Sequence, residues 1–152
     1  MTTQPTWIIE TRELVKIYGE NHAGVRALDR VNLRVSPGEL LAVMGPSGSG
    51  KSTLLNIIGA LDLPTSGQVL VNGEDLAQIK NLDEFRSKTV GFVFQLHNLL
   101  PTMTARENVE IPMIGHLSAA ERKRRSEELL TLVGLEDRAD HLPGQLSGGQ
   151  RQ

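Results

Sequence analysis

The chain has 152 residues, a formal net charge of −2 at pH 7 and no cysteine. These values exclude a disulfide framework, and the four histidines do not show the spacing of metal ligands. No apolar run reaches the roughly 18 residues that a membrane span needs, and the N-terminus lacks the pattern of a secretory signal, so we expect a soluble intracellular domain.

Short β-type runs separated by turns occupy the first part of the chain. The pattern predicts strands at residues 8–11 and 25–35, with Val31, Leu33 and Val35 on one face, and a turn at 36–39. Residues 40–44, LLAVM, form a continuous apolar run of the kind found in a parallel strand that is buried on both faces.

The segment after this run reads GPSGSGKST and fits the pattern G-x-x-x-x-G-K-[ST]. A helical pattern at residues 53–58 follows and ends near Gly59. Strand, glycine-rich loop and helix therefore occur in the order that a phosphate-binding loop requires. The predicted loop consists of Gly45, Pro46, Ser47, Gly48, Ser49, Gly50, Lys51, Ser52 and Thr53.

Each residue type in this loop has a chemical reason to be there. Glycines let backbone N–H groups approach phosphate oxygens, and the helix N-terminus adds partial positive charge. Lys51 is expected to reach the β- and γ-phosphates, Ser52 to place its hydroxyl on Mg²⁺, and Thr53 to add a phosphate hydrogen bond.

The rest of the chain changes from β-type to helical character. A turn at 64–67 precedes a predicted strand at 68–71 that closes with the turn-forming pair Asn72-Gly73. Capping-box patterns predict helices after Thr104 and Ser118, the second running to about Val133 with Gly134 after it. The basic run at 122–125 is flanked by glutamates, so we interpret it as a solvated helix face rather than a nucleic-acid site.

Two further motifs identify the kind of nucleotide-binding protein. Residues 146–150 read LSGGQ and residues 91–95 read GFVFQ. Together with the phosphate loop, and in this order, they resemble the nucleotide-binding domain of ABC ATPases. The longer phrases around them are most similar to the lipoprotein-releasing and macrolide-export group of that family.

The resemblance implies an α/β fold, a P-loop NTPase of ABC ATPase type with an antiparallel β-subdomain, a helical subdomain and an incomplete central sheet. It divides the chain into three parts. Residues 1–95 are the N-terminal part of the ATP-binding core with the β-subdomain, and residues 96–146 are the helical subdomain. Residues 147–152 are the start of the signature helix, named after LSGGQ, which is the signature motif of the family. The two strands predicted at 40–44 and 91–95 would lack their native neighbours.

The resemblance also assigns residues outside the phosphate loop. Tyr18 is placed where the family often has an aromatic residue that stacks on adenine, although an ordinary strand-end tyrosine is the alternative. Gln95 resembles the glutamine that approaches Mg²⁺ and the attacking water. The signature residues that would contact ATP held by the opposite protomer are Ser147, Gly148, Gly149 and Gln150.

The implied function is that of an ATP-binding subunit of an ABC transporter, with ATP and Mg²⁺ as cofactors. Its implied partners are a second ATP-binding subunit, in a head-to-tail dimer, and a transmembrane permease that holds it at the cytoplasmic face of the inner membrane. No nucleic acid is expected. Residues 98–104 would help to form the groove for the permease, with Leu99, Leu100 and Met103 either exposed there or buried in the core.

Nothing in the sequence matches the family's general-base glutamate or its switch histidine. We therefore expect this chain to be the N-terminal part of the ATPase, without appreciable ATP turnover of its own and with an unordered C-terminal end. Two alternatives stay open: a truncated, non-catalytic nucleotide-binding module, and a non-transport ABC ATPase of the cell-division type.

Overall fold

The computed structural model describes residues 7–19, 24–95 and 98–152. Within it the chain forms two compact units, Met1–Gly91 and Phe92–Gln152. The division predicted from the sequence, with boundaries after residues 95 and 146, stays a prediction.

The first unit contains a four-stranded antiparallel sheet. Its strands are β1 (Ile9–Tyr18), β2 (Val25–Val35), β3 (Ser66–Val71) and β4 (Glu74–Asp75), in the order β2-β1-β3-β4. The central strand β1 is longer than predicted because it pairs with β2 on one side and β3 on the other. The predicted Asn-Gly turn joins β3 to β4, with φ of 52° at Asn72 and 80° at Gly73, as a tight hairpin requires.

Two helices accompany this sheet. Helix α1 (Lys51–Ile58) ends at Gly59 as predicted, and α2 (Leu82–Thr89) follows a 3₁₀ turn at Leu76–Gln78. Leu54 and Ile57 from one face of α1 and Phe85 from α2 belong to the same buried apolar cluster as the sheet residues. The core of this unit is therefore formed between the antiparallel sheet and the helix that follows the phosphate loop.

The strands predicted at residues 40–44 and 91–95 are not present, and this corrects the sequence interpretation. Both segments are irregular, and Leu40 is 99% exposed, Met44 87% and Val93 86%. A strand exists through hydrogen bonds to a neighbouring strand, and the described part of the chain supplies neither segment with one. Among the described residues the only sheet is therefore the antiparallel one.

The second unit is helical. It contains α3 (Ala105–Glu110), α4 (Ala119–Leu132) and α5 (Gly148–Arg151), with 3₁₀ turns at Ile111–Met113, Glu136–Arg138 and Pro143–Gln145. Both predicted capping boxes are confirmed, the first between Thr104 and Glu107 and the second between Ser118 and Glu121. Helix α4 ends one residue before Val133, and Gly134 follows with φ of 70°.

Ala105, Leu130 and Leu146 form the small apolar core of this unit. At the end of α4, Leu130 is buried, whereas Leu132 is 80% and Val133 65% exposed. Residues 148–151 form a capped helix where we expected an unordered end. This turn is stabilised locally by a capping box, in which Oγ of Ser147 accepts from the Gln150 N–H and Oε1 of Gln150 accepts from the Ser147 N–H.

Candidate functional site

The predicted phosphate loop connects residues 40–44 to α1 and has the backbone geometry that such a loop needs. Gly48 and Gly50 have φ of 80° and 87°, in the left-handed region that favours glycine. A Cβ at Gly50 would lie 2.4 Å from the carbonyl oxygen of Ala27. Glycine at this position therefore lets the loop pass close to β2.

Lys51, the first residue of α1, folds its side chain back over the loop. Its Nζ donates to the carbonyl oxygens of Gly45 at 2.9 Å and Pro46 at 2.6 Å, and to Oγ of Ser49 at 3.3 Å. The loop thus curls around an ammonium group. Gly50 provides no side-chain cap for α1, so the first N–H groups of the helix are available to an anion. A phosphate group fits this donor set.

Beside the loop lies a cleft of about 530 Å³ that the start of β2 closes on one side. Val25, Arg26 and Ala27 line this wall, and residues 47–53 line the other, including Ser52 and Thr53. The Arg26 side chain is half exposed and pairs with Asp29 at 2.8 Å. The sequence analysis missed Arg26, because no local pattern indicates that a residue of β2 faces a loop more than 20 positions away.

Tyr18 lies next to this cleft. It is paired with Val25 in the register of β1 and β2, and Val25 is part of the cleft wall. Its ring is exposed at the end of the strand, with 42% of the residue surface accessible. Tyr18 and the predicted phosphate loop therefore belong to the same unit, and the strand pair β1–β2 connects Tyr18 to the cleft wall.

A polar cluster behind Tyr18 was also missed from the sequence. The Tyr18 hydroxyl donates to Oδ2 of Asp62 at 2.8 Å, and Nζ of Lys16 donates to Oδ1 of Asp62 at 2.6 Å. The hydrogen bond from Lys16 is the main cause that holds the pKa of Asp62 below its usual value, and partial burial opposes it. Sequence separations of 44 and 46 residues explain why no local signal revealed the cluster.

The other predicted site residues belong to the second unit. Gln95 lies exposed at a bend. Ser147 is the N-cap of α5, where its Oγ accepts from the Gln150 N–H at 3.3 Å and its own N–H donates to Oε1 of Gln150 at 2.9 Å. A Cβ at Gly148 or Gly149 would meet nothing within 4 Å, so the glycine pair leaves this helix start open.

Residues 7–19, 24–95 and 98–152 contain neither a metal-ligand cluster nor a membrane-spanning helix. In these ranges no three His, Cys, Asp or Glu side chains gather in a way that could hold a metal ion. The same part of the chain has no helix with the length and apolar character to cross a bilayer.

Comparison with known proteins agrees with this geometry. The family model described as ABC transporter matches residues 28–152. An uncharacterized ABC transporter ATP-binding protein of Thermotoga maritima is 52% identical over 95% of this chain and 63% of its own length. The lipoprotein-releasing system ATP-binding protein LolD of Syntrophotalea carbinolica is 47% identical, over 95% of this chain and 65% of its own length.

A solved structure is similar at the level of the fold. The ATP-binding cassette MJ0796, in a dimeric post-hydrolysis state bound to ADP and Pi, matches with a TM-score of 0.83 and 44% identity. The alignment covers 94% of this chain and 65% of that one. The chain therefore spans slightly less than two thirds of the length of these similar proteins.

Proposed function

The chain belongs to the ABC transporter family, and from this premise we propose that it is the nucleotide-binding part of a transporter ATPase that binds MgATP. The observation that carries the proposal is the phosphate loop, in which three backbone and side-chain oxygens surround the Lys51 ammonium beside an uncapped helix start. This combination offers a positive charge and free N–H donors at one place, which is what a polyphosphate requires.

We assign the roles within the first unit as follows. Lys51 and the N–H groups of the loop hold the terminal phosphates, and Thr53 adds a hydroxyl donor from the cleft wall. Arg26 contributes a second positive charge to the cleft. Tyr18, one strand away from Val25, stacks its exposed ring on the adenine.

Mg²⁺ is proposed as the second cofactor, because a hydroxyl at the start of α1 is the type of hard oxygen ligand that it prefers. Ser52 is exposed at this position, directly after Lys51. The role that the sequence predicts for Gln95, near Mg²⁺ and the attacking water, stays a prediction. The metal neutralises phosphate charge, whereas the chain's own contribution is to hold the phosphates and orient them.

The partners are proposed from the signature segment and the relatives. Ser147, Gly148, Gly149 and Gln150 would contact ATP on a second, identical subunit, since the open start of α5 offers N–H donors to an anion. The MJ0796 cassette is dimeric, and LolD is named as part of a lipoprotein-releasing system. We propose a head-to-tail dimer, bound through a permease to the cytoplasmic face of the membrane, that couples ATP hydrolysis to export or lipoprotein release.

The permease contact is proposed at residues 98–104. Leu100 is 48% exposed, which fits a surface contact, whereas Leu99 and Met103 are half-buried.

Of the alternatives expected from the sequence, the non-catalytic nucleotide-binding module shares the phosphate loop with the main proposal. Measurements of binding and of hydrolysis separate the two.

The test is a calorimetric titration of the chain with ATP in the presence and absence of Mg²⁺. We expect saturable binding that Mg²⁺ strengthens, and ADP should compete for the same site. Absence of binding by both nucleotides would refute the proposal. Binding without hydrolysis, in a protein of the relatives' full length, would instead favour the non-catalytic module.

A further inference from the structure

Two charged side chains, Asp62 and Lys16, contact Tyr18. Its hydroxyl donates to Oδ2 of Asp62 at 2.8 Å, and the Lys16 ammonium lies over the ring, 4.9 Å from its centroid. Lys16 and Asp62 are themselves joined by a salt bridge of 2.6 Å. The tyrosine therefore has a partner at its hydroxyl and a cation on its ring, while 42% of the residue surface is exposed.

The backbone of Leu63, which follows α1, holds Lys16 and Asp62 in place. The Lys16 side chain is only 13% exposed, and its Nζ also donates to the carbonyl oxygen of Leu63 at 2.7 Å. The Leu63 N–H donates to Oδ1 of Asp62 at 2.7 Å, so the carboxylate is fixed by its own chain as well. An exposed tyrosine usually moves between rotamers, and these contacts remove that freedom.

The position of the cluster relative to the cleft gives it a function. Tyr18 pairs with Val25 of the cleft wall, and Asp62 follows the helix that begins with Lys51. A flat base bound beside the phosphate loop needs a flat surface that is already oriented, because ordering a mobile ring on binding would lower the affinity.

From these contacts we infer that Asp62 and Lys16 are positioning residues that hold the Tyr18 ring ready to stack on the purine base of the bound nucleotide. The inference rests on the proposed nucleotide binding and deepens it. Lys16 occupies one side of the ring through a cation–π contact, so the base uses the other side. Asp62 holds the hydroxyl end of the ring in place and so fixes the direction in which the side chain points.

The experiment compares ATP with inorganic tripolyphosphate, which has the phosphates without the base. Affinities of both are measured by calorimetry for the wild-type chain, Asp62→Ala, Tyr18→Phe and the double variant. Asp62→Ala should weaken ATP binding by about three- to tenfold, the size expected for one hydrogen bond, and leave tripolyphosphate binding unchanged. In the Tyr18→Phe background, where the hydroxyl is already absent, the same substitution should have a much smaller effect.

Asp140→Asn is the matched control, because Asp140 also forms a salt bridge of 2.6 Å, with Arg106 in the second unit. It should change neither affinity. Tyr18 is the only tyrosine in the chain, so the tyrosine Raman bands report its hydroxyl bond directly. Asp62→Ala should shift these bands toward those of a solvated phenol, and the amide I band of the same spectrum shows whether the variant is folded.

The outcomes separate the inference from the proposed function. If wild-type chain binds neither ATP nor tripolyphosphate, nucleotide binding itself is refuted. If ATP binds but Asp62→Ala weakens ATP and tripolyphosphate equally, Asp62 acts on folding and the positioning role is overturned. Equal effects of Asp62→Ala in the wild-type and Tyr18→Phe backgrounds would overturn it as well.

Discussion

The ammonium of Lys51 lies against two backbone carbonyls and a hydroxyl of the phosphate loop. These contacts hold the charge in the loop but are not strong enough to satisfy it fully, since none of the acceptors is ionised. A phosphate oxygen is a better acceptor because it carries negative charge. We therefore propose that Lys51 holds the loop through these contacts in the absence of ligand and serves as the main cation for a bound phosphate.

Lys51→Ala should lower the affinity for ATP by about 10- to 100-fold, since a hydrogen bond to a charged group contributes about 1.5–3 kcal/mol. The measurement is a calorimetric titration with MgATP. Lys80→Ala, which removes an exposed lysine outside the cleft, is the control and should bind as wild type does. An unchanged affinity of Lys51→Ala would show that the phosphates bind elsewhere.

Asp62 gives the stability of the first unit a dependence on pH. Its folded-state pKa lies below the usual value, chiefly through the hydrogen bond from Lys16, so the folded state favours the ionised form. This contribution is fully present above the unfolded-state pKa of about 3.9 and is lost as the pH falls through the folded-state pKa.

Replacing this carboxylate should therefore flatten the acid limb of the stability curve. We expect the free energy of unfolding of Asp62→Asn to be lower than that of wild type at pH 6, and the difference to shrink only as the pH falls below about 4 and through the folded-state pKa. Urea unfolding at several pH values checks this. A constant difference across the whole range would mean that ionisation of Asp62 does not contribute.

The caps of the helices are the elements that the sequence predicted best, because each depends on residues three positions apart. In α4 the Glu121 N–H donates to Oγ of Ser118, and the Ser118 N–H donates to the Glu121 carboxylate at 3.0 Å. The Ser118 hydroxyl, which donates to Oε2 of Glu121 at 2.6 Å, and then the Ser118 N–H hold the pKa of Glu121 below its usual value. The start of this helix therefore relies on a local, reciprocal pair.

Ser118→Ala should lower the free energy of unfolding by about 1 kcal/mol, the usual effect of losing a helix cap. Urea denaturation followed by circular dichroism is the measurement, and Ser118→Asp should retain most of the stability. Ser87→Ala, within α2, is the control, where alanine favours the helix and no loss is expected. A loss at Ser87 as large as that at Ser118 would contradict the capping role.

Other elements could not be predicted because they depend on distant parts of the chain. Residues 40–44 have the composition of a buried strand, yet they are exposed, since a strand requires a neighbour that local sequence does not provide. The polar cluster around Tyr18 and the place of Arg26 in the cleft wall were missed for the same reason, because each depends on residues that are far apart in the sequence. The phosphate loop stays a prediction, and a local pattern could suggest it because all of its residues are contiguous.

The arrangement of two separate units, each with its own core, bears on how a complete ATPase would assemble. The phosphate loop belongs to the first unit, and the LSGGQ segment starts α5 in the second. If the signature segment contacts ATP on an opposite subunit, as proposed, the contact is made by the N–H groups of Gly148 and Gly149. A bulky cation at their N-cap would obstruct that approach.

Ser147→Arg, in a cassette of the relatives' full length, should leave ATP binding to the monomer within about twofold of wild type, since Lys51 and its loop are unchanged. It should abolish ATP-dependent dimerisation, because the arginine side chain fills the open helix start and the cap at Gln150 is lost. Sedimentation velocity with and without ATP measures this. Ser87→Arg adds the same charge to an exposed position of α2 and should dimerise normally, whereas a Ser147→Arg protein that still dimerises with ATP would show that the signature segment does not act across the subunits.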